Sequence, residues 1–255
     1  MKAIWTGAIG FGLVNIPVKL YAATEESNLD LDMLDKKDHS NIRFKRVNEK
    51  TGREVAWANI IKAYDYKGKY VVLDDKDFEK AIPEKSKLLA IDNFVKEDEI
   101  DSIYFETPYF LEPQKNGEAA YTLLVESLKK TKMCGVGTFV MRNREVLGIL
   151  RPYENIILFQ RIRYQSEIRK TTALSVPKRT IKPAELKMAV SLINQLSEKF
   201  NISVYKNTYA ARLMKIIEAK AKGKKVVTPE LRVAHLKTDD LMEQLKASLT
   251  KKKAS

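Results

Sequence analysis

The sequence predicts a mixed β and α fold, a closed or nearly closed β-barrel followed by a helical region. Three observations predict it. Up to about Gln165 the apolar residues gather in short β-type runs punctuated by glycine, proline and asparagine, as in a barrel of many short strands. After Arg169 they recur at helical spacing. A hydrophobic content of 44% in 255 residues supplies core for one large or two ordinary domains and excludes a disordered or fibrous chain.

Taken in order, the expected strands cover residues 3–21, 42–47, 54–64, 70–73, 87–95, 133–141, 145–150 and 156–162. Glycines 7, 10 and 12 read G-x-x-G-x-G, the reverse of the dinucleotide fingerprint, with no strand before and no helix after. They mark places where a strand bends or another backbone approaches. A strand over 42–47 sets Arg43 and Lys45 on one face and Arg46 on the other. A turn over 49–53, containing Arg53, and a return strand with Trp57 make a basic hairpin, followed by Lys62, Lys67 and Lys69. Asp74-Asp75 opens a short acidic helix. Asn116-Gly117 precedes a helix over 118–130 whose Tyr121, Leu124, Val125 and Leu128 share one face. Arg142-Asn143-Arg144 is a basic turn between strands, and Arg161 and Arg163 alternate on one strand face.

Beyond Arg169, Pro183 suits a first helical position, and Leu186, Ala189, Val190, Ile193 and Leu196 form an apolar stripe ending at Phe200. A second helix carries Tyr209, Leu213, Ile216 and Ile217 and stops near Gly223. Two shorter helices are capped by Thr228-Pro229-Glu230 and Thr238-Asp239-Asp240. The terminal Lys251-Lys252-Lys253-Ala254-Ser255 is a solvated tail.

The 46 basic against 33 acidic residues give +13, so a polyanion is the first partner to test. The excess is uneven, +5 over residues 41–70 and +17 over 121–255, which argues for defined basic surfaces. The basic hairpin suits a phosphate backbone and equally an ordinary solvated face. Few aromatics interleave with its charges, which favours duplex phosphate over single strands. Cys134 is the one cysteine, and with only His39 and His235 there is no ligand set for structural zinc; a reducing, cytoplasmic setting fits. No nucleophile and base pair is recognisable, nor a G-x-x-x-x-G-K-[ST] loop. The carboxylates Asp74, Asp75, Asp77 and Glu79, like Glu97, Asp98, Glu99 and Asp101, are adjacent in sequence and point to different faces, so neither set reads as a Mg²⁺ site. The apolar stretch 3–16 is broken by its glycines and then by Asn15 and Pro17, which argues against a secretory signal. No run approaches membrane-spanning length, and no membrane partner is expected.

Several blocks, taken together, carry a family resemblance. Residues 2–21, reading KAIWTGAIGFGLVNIPVKLY, resemble the opening of the bacterial Ku proteins. The similarity continues through IRFKRV at 42–47, YFLEP at 109–113, EIR at 167–169 and KPAELKMA at 182–189. It implies a Ku-type β-barrel core with a projecting, DNA-encircling bridge and a C-terminal helical arm, two copies of which form a ring around duplex DNA. The corresponding divisions are a core over 1–180 with the bridge at about 41–70, an arm over 181–223 and a short basic region over 224–255. The resemblance further implies sequence-independent binding of double-stranded DNA ends in non-homologous end joining, as a nucleoid-associated homodimer that recruits an ATP-dependent ligase. It implies no catalysis and no cofactor. Some relatives carry a cysteine pair after the Lys-Arg-Val block; residues 48–52 contain none, which excludes a metal knuckle there. No long DNA-binding tail is expected after Gly223.

On this reading the expected phosphate contacts are Arg43, Lys45, Arg46, Arg53, Lys62, Lys69, Arg142 and Arg144. Leu241, Met242, Leu245 and Leu249 form an apolar stripe expected to dock into the ligase. A ring needs no base-reading motif, because a broken end has no fixed sequence and a closed ring loads only where the duplex stops. Two alternatives stay open: a nuclease built on the acidic clusters, and an architectural protein that coats DNA without needing ends.

Overall fold

Seven strands close into a barrel in the computed structural model, which describes residues 1–26, 29–81, 87–176 and 180–224, together with 244, 245 and 248. They are β1 (Trp5–Phe11) and β2 (Val14–Ala22), then, beyond a two-stranded sheet of β3 (Lys62–Tyr66) and β4 (Lys69–Leu73), β5 (Leu88–Lys96), β6 (Phe105–Pro113), β7 (Met133–Met141), β8 (Arg144–Tyr153) and β9 (Ile156–Ile162). The barrel order is β1-β2-β6-β9-β8-β7-β5, returning to β1. Six of its pairs are antiparallel, whereas the seam is parallel and joins residues 8–10 to 88–90. The helices are α1 (Asp75–Ala81), α2 (Glu118–Thr131), α3 (Pro183–Leu196) and α4 (Thr208–Ala221). The described residues divide into two compact units, one of residues 1–26 and 31–170, the other of residues 29 and 30 with those from Thr171 onward.

Alternation along the strands fills the barrel. In β2, Ile16, Val18 and Leu20 are buried, and they meet Ile9, Leu89, Leu111, Leu150, Ile157 and Phe159. Edge-to-face aromatic contacts link Trp5 to Phe139 (4.9 Å) and Phe139 to Phe159 (5.0 Å). The seam explains Gly7: a Cβ there would collide with the Lys87 carbonyl and the Trp5 ring, while the next residue's N–H donates to that same carbonyl at 3.0 Å. Gly12, at φ +55°, supplies the left-handed turn between β1 and β2. Both fit the expectation of a bend and a close backbone approach.

The four residues spaced to share a face of α2, Tyr121, Leu124, Val125 and Leu128, are its four buried residues. Burying each of the two leucines contributes about 1.5–3 kcal/mol. The Tyr121 hydroxyl donates to the Leu111 carbonyl at 2.5 Å and accepts from the Ile157 N–H at 2.7 Å. It thus ties α2 to both β6 and β9, and burial raises its pKa.

Three local expectations change. Residues 42–46 are not a strand: pairing there is limited to isolated bridges, Leu34 with Asn41 and Val47 with Glu54. Trp57 begins a 3₁₀ turn (Trp57–Asn59), and the following strand starts only at Lys62. β6 was not expected from strand patterning, because Pro108 interrupts it and its register shifts between Phe105 and Pro108, blurring the alternation.

In the second unit Pro183 takes the first helical position of α3, and Asn207 caps α4 by accepting from the Ala210 N–H at 3.1 Å. α3 ends at Leu196, short of Phe200. Its apolar stripe is exposed, with Leu186, Val190, Ile193 and Leu196 between 46% and 64% accessible. On α4, Tyr209, Ile216 and Ile217 are exposed as well. The two shorter C-terminal helices expected from the sequence lie largely outside the described residues.

Candidate nucleic-acid interface

Between β2 and β5 the chain makes a long excursion with almost no interior. From Leu31 to Val72 every residue but Asp35 and Val55 is exposed. Its local order comes from turns. Asn48 accepts the N–H groups of Lys50 and Thr51 on its side chain, each at 3.0 Å, and its own N–H donates to the Arg53 carbonyl at 2.8 Å. The Val55 N–H donates to the Arg46 carbonyl at 2.8 Å. The expected basic hairpin therefore exists as a turn closed by one bridge.

Its cations are not equivalent. Lys45 Nζ lies 2.6 Å from Glu54 Oε2, so that charge is already balanced. The Arg46 guanidinium sits 4.3 Å from the centre of the Trp57 ring. Arg43 and Arg53 make neither an ion pair nor a cation–π contact among the described residues.

The β3–β4 register, with Lys62 opposite Leu73 and Tyr66 opposite Lys69, puts Lys62, Tyr64, Tyr66, Lys69, Val71 and Leu73 on one face. Lys62 and Lys69 stand at its two ends, about 13 Å apart along the strands. At the Lys62 end the hairpin meets the β7–β8 turn. Lys62, Arg142, Asn143 and Arg144 line one pocket with Asp75, Phe78 and Glu79 of α1. Lys62 Nζ rests 4.8 Å from the Phe78 ring centre. Arg142 and Asn143 both have positive φ, 52° and 60°, the backbone of a tight hairpin turn that favours glycine or asparagine.

Of the eight expected phosphate contacts, the structure gathers Lys62, Arg142 and Arg144 around one pocket, groups Arg43, Lys45, Arg46 and Arg53 about one turn, and leaves Lys69 at the hairpin tip. Arg161 and Arg163 instead clasp one carboxylate, Glu106, at 2.7 and 3.1 Å. Sequence reasoning missed α1 as a lining element, since nothing in 74–81 signals contact with residues 142–144. It also undercounted the aromatics. Phe44, Trp57, Tyr64, Tyr66 and Tyr70 are all exposed among the cations, Phe44 at 80% and Tyr70 at 75%.

The acidic clusters have local explanations. Asp74 accepts the Asp77 N–H at 2.9 Å and Asp77 accepts the Asp74 N–H at 3.1 Å, a reciprocal cap on α1. Glu97 pairs with Arg151 at 3.4 Å. Among the described residues no group of three or more His, Cys, Asp or Glu side chains could hold a metal ion. Cys134 is fully buried, and burial pushes its thiol up to about 11. Of the apolar residues expected to meet a partner, Leu241, Met242 and Leu249 lie outside the described residues; Leu245 is half-buried. No helix among the described residues is long and apolar enough to cross a membrane.

Residues 10–188 match the family model described as the Ku70/Ku80 beta-barrel domain. The chain is 38% identical, over 98% of its length and 95% of the relative's, to the non-homologous end joining protein Ku of Coxiella burnetii. It is 39% identical to that of Bacillus subtilis, covering 98% and 82% of the two chains. With that of Archaeoglobus fulgidus it shares 37% identity over 98% of both. The closed barrel and a family match spanning most of the chain agree, and the chain belongs to the Ku family.

Proposed function

We propose that this chain binds double-stranded DNA ends irrespective of sequence, as a homodimeric ring, and acts in non-homologous end joining by recruiting and stimulating an ATP-dependent ligase. The observation that carries the reading is the segment 31–72: basic, aromatic and almost wholly exposed, on a chain of the Ku family. An isolated two-stranded hairpin is marginal in water. Such a segment is best explained as an arm that gains its packing from a second copy and from DNA. The relatives' name, non-homologous end joining protein Ku, supports the same assignment.

Of the eight expected phosphate contacts, Arg43, Arg46, Arg53, Lys62, Lys69, Arg142 and Arg144 are taken to lie on DNA, while Lys45 is neutralised by Glu54. Charge on the backbone carries no base information, so the preference for ends comes from threading. The exposed apolar stripes of α3 and α4 suit pairing about a two-fold axis. Leu241, Met242, Leu245 and Leu249 suit docking into the ligase, with no chemistry on DNA by this chain. The setting is cytoplasmic, at the nucleoid.

Competition between linear duplex and relaxed closed circles of the same sequence, at equal base pairs, tests the reading. Linear DNA should win clearly; equal competition would favour an architectural protein. Mg²⁺-dependent cleavage by the purified chain would favour a nuclease. Removing residues 226–255 should leave end binding intact and abolish ligase stimulation; full stimulation at equal DNA occupancy would move the ligase contact to the core.

A further inference from the structure

The pocket between α1, β3 and the β7–β8 turn is lined by three cations, two carboxylates and the Phe78 ring, on which Lys62 rests. Its volume is about 580 Å³, within the range of small-ligand sites. Lys62, Arg142 and Arg144 have no carboxylate within ion-pair distance among the described residues, although Asp75 and Glu79 line the same space. The two carboxylates are four residues apart on α1 and so share its pocket-facing side. Opposite charges that line one cavity without pairing suit a ligand that itself carries both an anionic group and hydrogen-bond donors. A half-buried phenylalanine among them adds a flat apolar surface. Arg142 also holds a left-handed backbone conformation, at φ 52°, that an ordinary side chain disfavours.

A nucleotide matches this set: a phosphate for the cations, a planar base for the ring, amino or hydroxyl donors for the carboxylates. We propose that this pocket receives the unpaired terminal nucleotide of a DNA end, its phosphate on Lys62, Arg142 and Arg144 and its base against Phe78. Lys62, which rests over the Phe78 ring, turns to the phosphate and leaves that face to the base. The inference rests on the end-binding reading above and adds to it a reason to distinguish overhanging from blunt ends. A free nucleotide has the same chemistry; the DNA terminus is favoured because two of the pocket's walls are basic elements already expected to lie on phosphate.

The test uses the full chain and a duplex blocked at one end by a hairpin. The other end is blunt or carries a 5′-phosphorylated single-stranded overhang with 5-iodouracil at its last nucleotide. Irradiation should cross-link that base to Phe78, found by peptide mass spectrometry, and 5-iodouracil placed inside the duplex should not reach it. Phe78→Leu, which keeps an apolar filler, should lose the cross-link and weaken overhang binding about tenfold more than it weakens blunt-end binding. Terminal cross-links on Trp57 or Tyr64, with none on Phe78, would overturn the inference and leave end binding standing. So would dAMP binding that depends on Phe78 and that overhang DNA fails to displace. No binding to either linear duplex would overturn the end-binding reading first, and this inference with it.

Discussion

Two pairs of charged residues, removed one pair at a time, should affect DNA binding very differently. Lys45 and Glu54 form a 2.6 Å ion pair, both side chains more than half exposed, so the pair contributes at most about 1 kcal/mol to stability and presents no net charge to a phosphate. Arg142 and Arg144 have no such partner among the described residues. Each cation that neutralises a phosphate adds about 0.9 to the slope of log affinity against log salt. Arg142→Ala with Arg144→Ala should therefore flatten the slope by about 1.8 for each protomer in contact, which over a fourfold rise in salt is a change of about twelvefold. Lys45→Ala with Glu54→Ala should leave the slope where it was. Fluorescence anisotropy on a short duplex between 50 and 200 mM salt reads both. If the neutral pair flattened the slope as much as the two arginines, the inequivalence inferred from the ion pair would be wrong and Lys45 would be a phosphate contact in its own right.

Tyr121→Phe removes the hydroxyl that bonds both Leu111 and Ile157; leaving a buried carbonyl and N–H unpaired should cost about 2–4 kcal/mol, seen as a lower urea midpoint with an unchanged slope. A loss below about 0.5 kcal/mol would mean that the strands close directly on each other. Cys134, whose thiol is held up to about 11, should resist alkylation in the native protein at pH 8 and react once unfolded. Because its folded pKa lies above the unfolded one, its contribution is fully present below about pH 9 and falls as pH rises toward 11. Cys134→Ala should remove that part of the alkaline loss, and an unchanged alkaline profile would assign it to other groups. Val190→Glu with Ile193→Glu places charge on the exposed stripe of α3 and should convert a dimer to a monomer by sedimentation while helicity is retained; an unaltered dimer would place the contact elsewhere.

The barrel was readable where one physical signal dominated. β7 and β9 run over the predicted residues 133–141 and 156–162, because continuous apolar runs there end at turns. α2 was legible for the same reason, its four apolar residues keeping one face. β6 was hidden by Pro108, and 42–47 read as a strand because β-propensity is local whereas a ladder needs a partner of matching length. For the site, the basic residues could be named but not assembled. Lys62 and Arg142 lie eighty positions apart in sequence, and only the meeting of two hairpins and α1 around one pocket joins them. The ion pair of Lys45 and the stacking of Arg46 on Trp57 depend on a turn whose geometry composition does not encode.

The parallel seam has a consequence for the order of folding. β1 and β2 are contiguous and can pair as soon as they leave the ribosome, but β1's other neighbour is β5, and residues 23–87 must be made before residues 8–10 can meet 88–90. Such a contact is slow to form because a long loop must close first. Until then β1 carries a bare edge open to pairing with another nascent chain. The exposed segment leaves from β2, the antiparallel partner of β1, and returns to β5, so the seam lies between its two anchors. A pull on that segment would load the three-residue parallel pair before any of the longer antiparallel ladders.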